Sequence, residues 1–183
     1  TCHIGFNEPG SHLNSETRII SLDHITRIDA APSFFGIENV PRKAITMGIR
    51  TVKNANRIVL LAWGANKTTI IKKTIEGEIS ANVPATYLQH HNNTTFVMDE
   101  EASAKLTRVK TPWLVRSCVW DTSLKLQAVV WLSNLLKKSI LKLTDKDYNT
   151  NGMSDLLMQE GAAYDLNIKM FNKLQNTITG WPG

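Results

Sequence analysis

The chain has 183 residues, 42% hydrophobic and 20% charged, with a formal net charge of +5, a balance that fits one soluble globular domain long enough to bury a core. The basic residues are scattered and not interleaved with aromatics, which argues against a nucleic-acid surface, and the longest apolar run, 58–63, has the length of a strand and not of a membrane span. Two cysteines, Cys2 and Cys118, give no disulfide framework and suit free thiols in a reducing cytosol.

Residues 17–22 alternate β-branched and polar side chains and predict a short strand. Asp23 has N-cap chemistry for a helix through Asp29, stopped by Pro32. The apolar run 57–63 predicts a central strand covered on both faces, ended by Gly64. Residues 67–75 carry Ile70, Ile71 and Ile75 at helical spacing, 94–98 predict another strand, and 99–106 a helix. Strand, helix, strand, helix argues for a layered α/β sheet with right-handed crossovers. After Pro112 the pattern turns helical. Residues 124–136 are apolar at 124, 128, 131 and 135, and 153–159 and 162–174 predict two more helices separated by Gly161. Tyr164, Ile168 and Phe171 form the expected apolar stripe of the last. The chain lacks an initiator Met and closes on Gly180-Trp181-Pro182-Gly183, a turn or linker composition. We therefore expect a piece of a longer polypeptide.

Two places carry chemistry. His3 and Glu8 lie on one short segment punctuated by Gly5 and Pro9; an imidazole titrating near neutrality beside a carboxylate makes a proton relay. Such a pair in a loop is by itself more often structural. The second place is Gly64-Ala65-Asn66-Lys67, between a predicted strand and a predicted helix. There helix N–H groups and a lysine suit a phosphate, although an ordinary turn with a solvated lysine would look the same. His3, His24, His90 and His91 have no metal-ligand spacing.

The string His3-Ile4-Gly5-Phe6-Asn7-Glu8-Pro9-Gly10-Ser11 resembles the signature of the glucosamine-6-phosphate deaminase/isomerase family. The resemblance runs through Thr17-Arg18-Ile19, His24-Ile25-Thr26-Arg27, Val40-Pro41-Arg42-Lys43-Ala44-Ile45-Thr46-Met47-Gly48, Gly64-Ala65-Asn66-Lys67, Glu76-Gly77, Leu88-Gln89-His90-His91 and Asp99-Glu100, and covers residues 1–110. It implies a three-layer Rossmann-like α/β fold of the sugar-phosphate isomerase type. Residues 1–115 would be the C-terminal portion of the deaminase domain, and 116–183 a helical extension leading to a linker.

The reaction implied is glucosamine 6-phosphate plus water to fructose 6-phosphate plus ammonia, in amino-sugar catabolism, with no cofactor and no metal. By resemblance His3 and Glu8 are catalytic, Lys67 holds the substrate phosphate, and Ser11, Arg18 and Arg27 are effector or phosphate contacts. The family arginine ahead of the Phe34-Phe35 pair is Ser33 here, with Arg27 and Arg42 as candidate substitutes. Thr1 and Cys2 match the family's Asp and Gly, so the Asp–His–Glu relay is reduced to His3 and Glu8. Arg50 matches a family Gly. The family's proton-abstracting Asp and its phosphate loop lie upstream of these residues, so the 183 residues alone are expected to be inactive. The resemblance further implies a cytoplasmic homo-oligomer acting on a hexosamine phosphate, with no nucleic-acid or membrane partner. The longer relatives carry a deacetylase-like domain C-terminal in the same chain. A sugar-phosphate-binding sensor without catalysis, and a structural module of a two-domain protein, remain the rival expectations.

Overall fold

The computed structural model describes residues 4–179; Thr1, Cys2 and His3, and the closing Gly180-Trp181-Pro182-Gly183, lie outside the described residues. The chain divides into two compact units, Thr1–Leu106 and Thr107–Gly183.

The first unit is mixed α/β. Strand β1 (Arg18–Ser21) leads into helix α1 (His24–Ala30), whose N-cap Asp23 accepts a hydrogen bond from the Thr26 amide. Strand β2 (Lys43–Thr46) then pairs antiparallel with β1, Arg18 opposite Thr46 and Ser21 opposite Lys43. This strand was not anticipated: four residues carry too little period, and pairing with β1 decides their conformation. Helix α2 (Ile49–Lys53) follows. Strand β3 (Ile58–Ala62) runs through helix α3 (Thr68–Glu76) to strand β4 (Thr94–Met98), its parallel partner. Helix α4 (Glu100–Ser103) is capped by Asp99, which accepts from the Ala102 amide.

The core of this unit is small. Ala62, Ile71 and Leu106 are buried, with Leu60, Ile75 and Met98 packed against them. Strand alternation sends Ile58 and Ala62 inward and Val59 and Leu61 outward, where they are exposed. Among the described residues β3 is therefore covered on one face, where the apolar run led us to expect two. Among the described residues its sheet has two strands.

The second unit is helical: α5 (Thr107–Lys110), α6 (Thr122–Leu136), α7 (Asp145–Thr150), α8 (Ser154–Glu160) and α9 (Ala163–Thr179). Caps set its boundaries. Asp121 accepts from the Leu124 amide to start α6, Lys137 ends it in the left-handed region at φ +52°, and Thr144 and Asp147 form a capping box on α7. Trp113, Leu132, Tyr148, Leu156 and Met170 belong to one continuous core. Trp113 stacks at a tilt on Trp120, with centroids 5.9 Å apart, and meets Trp131 edge-on at 5.4 Å.

Two helix faces differ from the expected stripes. On α6 the buried positions are Lys125, Ala128, Val129 and Leu132, while Leu135 is exposed. On α9 they are Ala163, Leu166, Asn167 and Met170, while Tyr164 is exposed. Both surprises are polar residues made inert by partners. Asn167 accepts from the Tyr148 hydroxyl at 2.7 Å and donates to the Leu143 carbonyl at 2.8 Å. Lys125 pairs with Glu160, which also meets Lys169 at 3.2 Å. The hydrogen bond from Lys125 holds the Glu160 carboxyl below the usual glutamate range. Burial pushes the Tyr148 hydroxyl and the Cys118 thiol above their ordinary values.

Candidate functional site

The signature loop is held by its least reactive member. Asn7 is fully buried; its Nδ2 donates to the carbonyls of Ile4 (2.9 Å) and Met47 (2.6 Å), and its Oδ1 accepts from Arg18 Nη1 at 2.9 Å. The Phe6 amide donates to Thr46 Oγ1 at 3.1 Å. Gly5 sits at φ +56°, and a Cβ there would lie 2.9 Å from the same Thr46 oxygen. The Gly10 amide donates to the Ala81 carbonyl at 2.8 Å. Short side chains and a buried amide thus pin residues 4–10 against the end of β2. Sequence reading gave Asn7 and Thr46 no role; buried polar residues inside a punctuated motif were the available signal.

Glu8 faces α1. Its Oε1 accepts from the Asp23 amide and from Thr26 Oγ1, both at 3.1 Å. The carboxylate is half-buried and fixed in direction by these two donors. His3 lies outside the described residues.

Glu8, Ser11 and Arg18 line one polar cavity of about 410 Å³. Arg18 spans it, with Nη2 donating to Ser11 Oγ at 3.3 Å while Nη1 holds Asn7. Arg27 is not among the cavity's lining residues. It donates Nη2 to the Ile37 carbonyl at 2.8 Å, bracing the turns between α1 and β2, and its Nε is buried without a hydrogen-bond partner. The Phe34-Phe35 pair lies on those turns, with Phe35 94% exposed at φ +59°.

Lys67 occupies the N-cap of α3, half-buried, and does not line the Arg18 cavity. The turn beneath it differs from expectation. The Gly64 amide donates to Asp99 Oδ2 at 2.9 Å and the Ala65 amide to Glu101 Oε2 at 3.1 Å. Two of the N–H groups expected to be open to a ligand are therefore taken by carboxylates from the N-terminal end of α4.

Arg50, the expected departure, lies inside α2 and pairs with Glu16 at 3.2 Å. The position that cannot take a side chain is Gly48, where a Cβ would stand 2.1 Å from the Ser15 carbonyl oxygen. Ser15 closes the same junction, its Oγ accepting from the Ile49 amide at 3.0 Å. His91 is structural, bonded to Thr94 Oγ1 and the Ala55 carbonyl. Among the described residues no His, Cys, Asp and Glu cluster could hold a metal ion, and no helix is long and apolar enough to cross a membrane.

No protein-family model matches the chain. A glucosamine-6-phosphate deaminase-like protein of Bacteroides thetaiotaomicron is 55% identical over 181 residues, which cover 99% of this chain and 27% of that protein. The glucosamine-6-phosphate deaminase of Clostridium novyi is 46% identical over 104 residues, 57% of this chain and 43% of its own length. A solved monomeric glucosamine-6-phosphate deaminase of the NagB superfamily superposes with a TM-score of 0.55 at 43% identity, over 56% of this chain and 43% of that one. The chain is similar to part of a glucosamine-6-phosphate deaminase.

It spans less than half the length of these deaminases, and their matched stretches are close to the first unit in length. The Bacteroides relative matches through both units. The likeness to the NagB-superfamily deaminase fits the Rossmann-like sugar-phosphate isomerase fold with the mixed α/β first unit.

Proposed function

We propose that the protein containing these residues is a glucosamine-6-phosphate deaminase, converting glucosamine 6-phosphate and water to fructose 6-phosphate and ammonia. The observation that carries this reading is the Glu8 carboxylate, fixed by the Asp23 amide and Thr26 at the edge of the Arg18 cavity. In the reading, His3 transfers a proton at the ring oxygen to open the pyranose, and Glu8 orients its imidazole. A carboxylate outside these residues moves the C2 proton to C1. Water then adds to the resulting C2 imine, and ammonia leaves to give the ketose. Lys67 carries the phosphate as a point charge, and Ser11 and Arg18 form an effector or phosphate pocket. The long Bacteroides relative supports a further domain in the same polypeptide; homo-oligomerisation and a cytoplasmic setting belong to the same proposal.

A second reading, a sugar-phosphate sensor, is favoured by one feature. Thr1 stands at the matched Asp, while the Ser11–Arg18 pair is complete. Ammonia release from glucosamine 6-phosphate separates the two. In the full-length protein we expect turnover, and His3→Gln to lower kcat by about 10²-fold or more with KM little changed. Saturable binding without ammonia release in the wild type would transfer the assignment to the sensor.

A further inference from the structure

Helix α6 is apolar on two faces. Ala128, Val129 and Leu132 are buried in the core of the second unit. On the other face, Ser123, Leu126, Gln127, Val130, Trp131 and Asn134 follow the three- and four-residue steps of a single helix side and line a groove of about 530 Å³. Lys110 of α5 and Leu174 of α9 complete the lining. Ser123 to Asn134 covers about 16 Å of helix axis at the usual rise per residue. Within it Leu126, Val130 and Trp131 are half-buried. A helix apolar on more than one side is normally covered on each, and an apolar seam of this period receives a second helix.

Charge restricts what that helix can be. No acidic side chain lines the groove. Gln127 Nε2 donates to the Lys110 carbonyl at 2.7 Å, which fixes Lys110 beside the first half of α6. Lys137 ends α6 three residues past Asn134. Both lysines are exposed, and among the described residues neither joins an ion pair. Two copies of this chain sharing the seam would set Lys110 against Lys137 if antiparallel, or each lysine against its own counterpart if parallel. The complementary partner is instead a helix with carboxylates flanking its apolar stripe.

The relatives bear on where such a helix comes from. The matched stretches of the shorter deaminases are close to the first unit in length, whereas the Bacteroides relative matches through both units. The matched residues are 27% of that relative, so the second unit is shared with a polypeptide most of which lies outside the match.

We propose that the α6 groove seats an acidic amphipathic helix from the region of the same polypeptide outside these 183 residues, and that the second unit is the dock for that region. The inference rests on kinship with the long relative and on no catalytic step, so an inactive protein would leave it standing.

The test uses the purified full-length polypeptide with Asn134, an exposed groove residue, replaced by photoreactive benzoylphenylalanine. Irradiation should link it, within one molecule, to an Asp- and Glu-rich helical segment outside the 183 residues, identified by peptide mass spectrometry. Adding Lys110→Glu should lower the yield of that link at least about three-fold at low salt. A link between isotopically light and heavy molecules would overturn the proposal, because a second copy would then be the occupant. A link to residues 1–106, a link to a segment without acidic residues, or no link at all would overturn it too. So would an unchanged yield in the Lys110→Glu protein.

Discussion

The two units bury their apolar residues to very different degrees. In the second, Trp113, Leu132, Tyr148, Leu156 and Met170 share one core, and even the charges of Lys125 and Glu160 are paired within it. In the first, Ala62, Ile71 and Leu106 form a smaller cluster with Leu60, Ile75 and Met98 packed against it, while Ile19, Ile45, Leu61 and Trp63 face outward. The candidate chemistry sits on the unit with the smaller core. The proposed reactivity and the larger buried core thus belong to separate stretches of the chain.

The largest expected effect is all-or-none. Residues 107–183 expressed alone should give a cooperative thermal transition by circular dichroism, and residues 1–106 alone should not, since burial of apolar area drives folding. A cooperative 1–106 would erase the contrast.

Next, Leu132→Ala in the full chain should cost about 2–5 kcal/mol in denaturant unfolding, the range for a fully buried leucine, and leave sugar-phosphate affinity unchanged. Leu132 is wholly buried in the second unit. A matching loss of affinity would show that the separation fails. Lys67→Ala sharpens the converse. In the full-length protein it should weaken hexose 6-phosphate binding by about 1.5–3 kcal/mol, with the unphosphorylated sugar unaffected and the melting curve in place. Equal losses for both sugars would remove the phosphate role.

Smallest is a pH effect confined to the second unit. The folded Glu160 carboxyl titrates below its unfolded value, so the unfolded chain binds the proton first as pH falls. The pair's stabilisation is present above the ordinary glutamate range and is lost as pH drops through the folded value. Glu160→Gln should destabilise the chain at about pH 7 and much less at about pH 3. An equal deficit at both would mean packing, not charge, holds that contact.

Local signals in the sequence were read well where one residue decides a structure. Asp23 announced α1, and the apolar run announced β3. Strand β2 was missed because its conformation follows from a partner more than twenty positions away. The α9 face was misread because hydrophobic period ranks Tyr164 above Asn167, whereas hydrogen bonds to Tyr148 and Leu143 bury the asparagine. At the candidate site, the motif singled out Glu8 and Arg18, which line one cavity. It did not reveal that Asp99 and Glu101, distant in sequence, would close the turn under Lys67.

That closure has a consequence for how a phosphate would be felt. With the Gly64 and Ala65 amides engaged by carboxylates, a phosphate held by Lys67 as proposed would lack those two N–H donors and lean on the lysine charge. Recognition of that kind is ionic and lacks direction. It would fade as added salt shortens the Debye length from about 10 Å at 0.1 M towards about 3 Å at 1 M. An amide cradle, by contrast, would keep its grip through the geometry of its hydrogen bonds. The ionic strength of the medium would then set how tightly this turn holds a sugar phosphate.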